Sequence, residues 1–562
     1  MLAAPAMVLA LHGGEAIAAD APPAAATPAA STAAVHLTVH SLVFLASRSA
    51  VKPKGISVSD GVDASAVAFL QDPEFAKRLQ PYLGKPVTAD LLQEVSNQTV
   101  LFAREKNYPV VDVSVPEQDI SGGRVQILVL VGRLGQVRVD GNRWFDGKDI
   151  AAGIRMKPGD PIRSDLLRDD LAWINNNPFR SVDAVFQPGS EPGTTDIVLK
   201  TTDRFPVRVS GGYANNGTPA TTRGRLNAGL SWGDAFWLGH RLDYQYSRSV
   251  VHGPFEANSL SYGIPLPWRD SLTFSVSRAV SHATSAGTPF TTKGIDDVAS
   301  MRYGIPLPRF DVLGGLTHEF AVGAEHKKSN SNLQFGGTQV FATAPEVNQA
   351  TLSYYATLLD GFGSTGLFVD GYISPGDIGS NNTTAIFRQA QAGSDAHYLY
   401  GRLRLERVVN LPAGLSLFGR GTAQRTTANL LPSEKLLVGG ANSVRGYDEA
   451  QFAGDSGYLA SVELRSPPFN VIPATALGGA ADQFQALLFY DYGITGPFRR
   501  EPGSDKTLSA ASVGMGVRYA IEPYLSMRFD YGVQLHAHTQ TGTQTGPETR
   551  RDGADFVLTI GY

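Results

Sequence analysis

Cysteine does not occur anywhere in the 562 residues. Disulfides and cysteine-ligated metal sites are therefore excluded. A basic excess is missing too: 48 Lys and Arg stand against 52 Asp and Glu, for a formal net charge of −4. Nucleic acid as a partner is excluded on that balance, because such binders carry a basic patch and a high pI. After the N-terminus there is no run of about eighteen apolar residues, so no transmembrane helix is indicated. The signatures G-x-x-x-x-G-K-[ST] and H-E-x-x-H are absent. The glycines of "GMGVRYAIEPY" (514–524) sit in a strand pattern, which makes a poor phosphate loop. No enzyme activity, cofactor or metal is expected.

What is present is glycine (60), phenylalanine (27) and tyrosine (20), with a mean hydropathy of −0.10. That mixture permits a transmembrane β-barrel, whose strands alternate rather than run apolar. The first residues, "MLAAPAMVLALHGGEAIAAD", hold a short apolar stretch followed by Ala16-Ile17-Ala18. This is the cleavage pattern of a signal peptide. The basic segment that should precede it is missing, since the first Lys or Arg is Arg48. Residues 1–18 are read as a signal peptide with a truncated start, and 19–35 as a flexible Ala/Pro linker.

Two small α/β units follow, over 36–131 and 132–203. In the first, "VHLTVHSLVFLA" and "RVQILVLVG" are strand-like. Between them Leu91, Leu92, Val95 and Phe102 share one face of a helix that Thr88 is placed to cap. The second unit holds "GQVRVDG", a turn, and a helix with Leu167, Leu171 and Ile174 on one face. Pro178 stops that helix. Strands "DAVFQPG" and "TDIVLKT" then flank a turn.

From 204 to 562 the period becomes two. Leu226, Ala228, Leu230 and Trp232 alternate with Arg225, Asn227, Gly229 and Ser231, and the last strand sets Phe556, Leu558, Ile560 and Tyr562 on one face. The length of this region, its aromatics near strand ends and its terminal aromatic favour a membrane barrel over a soluble sandwich. At about 22 residues per strand with connection, roughly sixteen antiparallel strands fit. "YGIPLP" occurs at 262–267 and 303–308, two strands apart. Proline marks strand ends, so both copies lie on one side. That side, with the short turns at "NLPAG" (410–414) and "SPPF" (466–469), is assigned to the periplasm.

One connection is far too long for a hairpin. It spans about 425–456 on the outer side, and its tip reads "GGANSVRGY". Loops of this length are functional or disordered. In the strand that comes after the next one, Phe484, Ala486, Leu488, Tyr490 and Tyr492 take the lipid-facing parity. Asp491 therefore faces the lumen, flanked by Phe489 and Gly493. A desolvated carboxylate needs a partner. If the loop folds back inside, Arg445 and Asp491 form a charge-assisted pair, and a charge swap between them would test it. A pore-lining aspartate and an unrelated, solvated loop arginine would give the same pattern, and spacing alone does not separate the two.

Two α/β units, a barrel, a "VRGY" loop tip and an F-x-D-x-G strand together resemble the outer-membrane transporters of two-partner (type V) secretion, the haemolysin secretion/activation proteins. These belong to the POTRA-plus-barrel superfamily that includes the barrel-assembly factor BamA. "PEQDISGGRVQILVLVG" (116–132) resembles the end of a first POTRA domain, and "NPFRSVDAVFQPGSEPGTTDIVL" (177–199) that of a second.

The resemblance covers about 36–562. It implies two periplasmic POTRA domains before a 16-stranded barrel with a long loop in its lumen. It also implies a tip formed by Val444, Arg445, Gly446 and Tyr447, and an inner-wall partner strand with Phe489, Asp491 and Gly493. The implied function is export of one large exoprotein, of adhesin or haemolysin type, by a monomeric barrel in outer-membrane lipid of a Gram-negative bacterium. The POTRA domains would capture the unfolded substrate. An assembly factor for other barrels and a passive porin are the alternative readings. The chain departs from the family in the extra residues 47–74 of the first unit. The segment before Val35 shows no amphipathic stripe, so no N-terminal plug helix is expected.

Overall fold

The computed structural model describes residues 37–284, 290–310, 315–335, 338–473, 480–500, 507–535 and 552–562. The signal peptide, the linker and the expected absence of a plug helix all concern residues outside these. The chain divides into two compact units, one ending at Gly132 and the other starting at Arg133.

The first unit is a four-stranded sheet covered by helices. Ser41–Leu45 is central, with Gly61–Asp63 and Arg124–Val131 parallel to it on either side, and Val111–Ser114 closes the sheet antiparallel to Arg124–Val131. Helix Ala89–Glu105 starts where Thr88 accepts the Leu91 N–H at 3.1 Å. It buries Val95 and Phe102. The additional residues 47–74 form structure of their own. They supply the edge strand Gly61–Asp63 and lead into helix Pro73–Leu79, whose Phe75 packs edge-on against Phe44 at 5.0 Å.

The second unit starts with another small sheet, ordered Arg133–Asp140, Thr194–Asp203, Arg180–Pro188. Helix Ser164–Ile174 covers it with Leu167 and Ile174. A further helix, Gly147–Ala152, lies where the sequence suggested only a turn. It is capped by Asp146 and anchored by Ile150.

Residues from Val207 onwards form a closed antiparallel barrel. Among the described residues it has sixteen strands, with Thr338–Thr343 and Glu346–Asp360 counted as one strand interrupted at Pro345. The last strand, Asp552–Gly561, pairs with the first, Val207–Ala214, so no edge stays open. Alternation sorts the faces. Leu488 and Tyr490 point outward and are exposed, while Leu487, Phe489 and Asp491 point inward and are buried. Both "YGIPLP" copies lie at the end nearest the second α/β sheet. "SPPF" opens a connection of 466–481 rather than a tight turn.

The second α/β sheet and the barrel belong to one compact unit. Asp170, on helix Ser164–Ile174, is fully buried. It is held at 2.7 Å by Arg155 and at 2.6 Å by Arg269 of the barrel turn 266–270. Asn177 donates to the Gly233 carbonyl of a barrel strand.

Candidate functional site

The long connection runs from the end of strand Ser416–Thr426 to the start of strand Ser456–Arg465. It is a hairpin of its own: Leu436–Val438 pairs with Phe452–Gly454, and the tip lies between them. Glycines at φ +109, +95 and +90 (Gly439, Gly440, Gly446) supply backbone angles that other residues rarely adopt.

The tip lies against the inward-facing side chains of the barrel wall. Val444 is fully buried among Val438, Tyr447, Phe452 and Ala510. The Tyr447 hydroxyl donates to the Ala511 carbonyl at 3.2 Å. Gly446 donates no side chain, but its carbonyl accepts from Gln534 at 2.8 Å.

Arg445 is 3% exposed. Its Nε and Nη2 donate to the two oxygens of Asp491 at 2.7 and 2.8 Å, in the bidentate fork that guanidinium geometry favours. Its own backbone N–H also donates to Asp491, at 3.1 Å. The Nη1 reaches Glu463 at 2.7 Å and Asp530 at 3.4 Å, and Nη2 reaches Ser461 at 3.2 Å. The guanidinium lies over the Phe489 ring, 3.5 Å from its centroid. Gly493 leaves the space that Val438 and Val444 enter: a Cβ there would stand 2.7 Å from Val438. Each inward position of Phe489-x-Asp491-x-Gly493 thus touches the tip.

Charge is balanced across several strands. Glu463 also accepts from Arg465, and Asp530 from Arg518 and Arg528. A lone ion here would be costly, and the network supplies the hydrogen bonds that a buried ion pair requires. Sequence reasoning brought together Arg445 and Asp491 but missed Glu463, Ser461, Asp530 and the arginines behind them. The same parity argument that turned Asp491 inward applies to Glu463. Nothing in the sequence sets Asp530 beside it.

A second anchor holds the base of the loop. Glu434, 1% exposed, accepts from Lys327 at 3.1 Å, Gln349 at 3.1 Å and Tyr400 at 2.7 Å. Above it, Leu430 and Leu431 pack with Phe387, Tyr398 and Tyr400. Phe387 comes from helix Thr384–Ala390 in the connection 376–396.

This arrangement is a barrel whose inner wall is bolted to its own longest loop by buried contacts. The model of the haemolysin secretion/activation proteins (ShlB/FhaC/HecB) matches residues 193–519, and that of the ShlB-type POTRA domain matches 59–132. The heme/hemopexin transporter protein HuxB of Haemophilus influenzae is 23% identical over 79% of this chain and 77% of its own. The outer membrane transporter CdiB of Escherichia coli is 24% identical over 80% of this chain and 75% of its own. A solved structure of CdiB from Escherichia coli superposes with a TM-score of 0.72 at 19% identity, covering 95% of this chain and 93% of that one.

Proposed function

This chain belongs to the haemolysin secretion/activation family of outer-membrane transporters, and from that premise we propose how it captures and passes its cargo. The protein resides in the outer membrane with its POTRA domains in the periplasm, and it translocates a partner exoprotein in two-partner secretion. In our reading the domains are POTRA 1 over 36–131, POTRA 2 over 132–203 and the barrel over 204–562, acting as a monomer in outer-membrane lipid. The POTRA domains capture the unfolded partner by strand addition, where main-chain hydrogen bonds give affinity with little sequence demand. Strand Arg180–Pro188 suits this role, since it stands at a sheet edge and exposes Val185 and Phe186.

The barrel conducts the chain, and the Arg445 loop is the latch. One observation carries this: every N–H of the Arg445 side chain is directed at the inner wall, so the loop tip has a single docked register. An incoming chain displaces the tip by competing for the same space. Comparing the secreted and outer-membrane proteomes of cells with and without the protein tests the reading. Loss of one or two large exoproteins, with other barrels unchanged, is the expected result. A broad fall in outer-membrane barrels would replace it with the assembly-factor reading.

A further inference from the structure

Several arginines on the inner wall remain after the latch is accounted for. Arg404 and Arg420 lie on neighbouring strands, His397–Asn410 and Ser416–Thr426, in the halves nearer the POTRA side. Their side chains are 38% and 35% exposed. They share one carboxylate: Glu406 Oε1 stands 3.5 Å from the Nε of each, and neither Nε makes a hydrogen bond. Arg445, Arg465, Arg518 and Arg528 face Glu463, Asp491 and Asp530, and Glu449 also attracts Arg528. The second group is matched four to four, so the positive surplus of this wall lies in the first, where two cations share one anion. Aromatic rings support it. Arg404 lies over Phe368 at 4.1 Å and Arg465 over Phe418 at 4.2 Å.

Part of the strip already holds backbone. Arg528 donates to the Ala441 carbonyl at 2.5 Å and to the Asn442 side chain at 3.3 Å. Arg420 reaches the Asn442 carbonyl at 3.5 Å. These are contacts to an irregular stretch of chain, made mainly through its carbonyl oxygens. They ask little of its sequence.

We propose that this strip is the lumenal binding site for the translocating chain, and that Ala441–Asn442 of the loop occupy it as a stand-in for substrate. The inference rests on the translocation reading above. An extended segment docks through main-chain carbonyls and acidic side chains on Arg404, Arg420 and Arg528, with Phe368 and Phe418 as flat supports. Guanidinium forks suit carboxylates and carbonyls alike. Several weak contacts in a row let a chain enter and leave, as conduction demands. Segments rich in Asp and Glu are therefore held best.

The test uses the full-length protein in detergent and fluorescent ten-residue peptides of alternating Gly with Asp, or Gly with Lys. Wild type is expected to bind the Asp peptide about tenfold more tightly than the Lys peptide, with the preference shrinking as salt is raised. R404Q/R420Q should lose the preference, and R404K/R420K should keep part of it because the charge remains. Resistance of the barrel to unfolding in cold SDS checks that each variant is folded. Equal binding of both peptides by wild type would overturn the proposal, as would an unchanged preference in a folded R404Q/R420Q. The proteome comparison separates the two readings. If removing the protein costs the cell an exoprotein but the peptides show no preference, only the site fails. If no exoprotein depends on the protein, transport itself fails and this inference falls with it.

Discussion

A methyl group built on Gly446 would stand 2.7 Å from the carbonyl oxygen of Gly532. The crowding is mutual. A Cβ on Gly532 would meet the Arg445 carbonyl oxygen at 2.8 Å, and one on Gly553, its partner across the ladder, would meet the Gly446 Cα at 2.9 Å. Three glycines on three segments let loop backbone lie directly on wall backbone. That close approach brings Arg445 to its carboxylates.

Gly532→Val should therefore undock the tip while sparing the barrel. Gly532 is in a strand without a positive φ, so valine suits its backbone and only the loop is pushed. Overpacking of this kind costs about 1–3 kcal/mol. Amide exchange at 439–447 should quicken, with strands 482–496 and 525–534 still protected. Unchanged protection at the tip would mean that the contact does not hold the loop.

Replacing Arg445 by Asp and Asp491 by Arg reads from the sequence as a clean test of the pair. The structure reverses its expected outcome. An aspartate at 445 would face Glu463 and Asp530, both buried and both within reach of the present guanidinium. The swap should fail to restore export, although the pair is direct. The informative variants are Asp491→Asn and Arg445→Lys. Each loses the fork while a charge partner remains, so the loss is that of hydrogen bonds to charged groups, about 1.5–3 kcal/mol. Combined, they should cost much less than the sum of the two, because the residues share one interaction. Strict additivity in loop protection would count against the pair.

Asp491 was legible because a period of two leaves no choice of face once its apolar neighbours are assigned. The barrel and the helices with Thr88 and Leu167 were legible for the same kind of reason: each repeats a pattern over many residues. Helix Thr384–Ala390 has only seven residues, too few for periodicity to show. Gly532 and Gly553 look like any strand glycines until a loop about ninety residues away in sequence lands on them. Asp170 has the position of an ordinary polar residue on a helix. What buries it is Arg269, from another part of the chain. Local patterns record faces and ends; contacts between distant segments leave no periodic trace.

The second anchor should act independently of the first. Lys327, Glu434, Gln349 and Tyr400 share no partner with the Arg445 group. Lys327→Met removes the cation paired with Glu434, while Glu325 keeps Arg302 at 3.5 Å, and should cost about 3–5 kcal/mol of loop stability. Glu434→Gln keeps the hydrogen-bonding shape and leaves Lys327 with Glu325, 3.1 Å away, so about 1–2 kcal/mol is expected. Exchange at 427–438 reads both. Pairing either change with Asp491→Asn should give effects that add within about 0.5 kcal/mol; strong coupling would show that base and tip move as one body.

Asp170 and Arg269 make the remaining prediction, at the joint between the second POTRA domain and the barrel. Asp170 is the more informative residue to change, because two arginines and the Arg155 backbone N–H converge on it. Asp170→Asn keeps the volume and one acceptor but removes the charge that draws Arg269 out of its turn, where it is held at φ +76. Such a conformation is strained for a residue with a Cβ, so once the ion pair is lost the turn should relax. Limited proteolysis should then cut near 203–206 several-fold faster, while the barrel still resists unfolding in cold SDS. Arg269→Gly separates strain from charge: glycine accepts the positive φ at no cost, yet it cannot reach Asp170. If the joint depends on the ion pair, Arg269→Gly loosens it as much as Asp170→Asn does. If cleavage stays at the wild-type rate in Arg269→Gly, the turn's shape and the Asn177–Gly233 bond are enough to hold the domain on the barrel, and the buried aspartate is there only to satisfy Arg155.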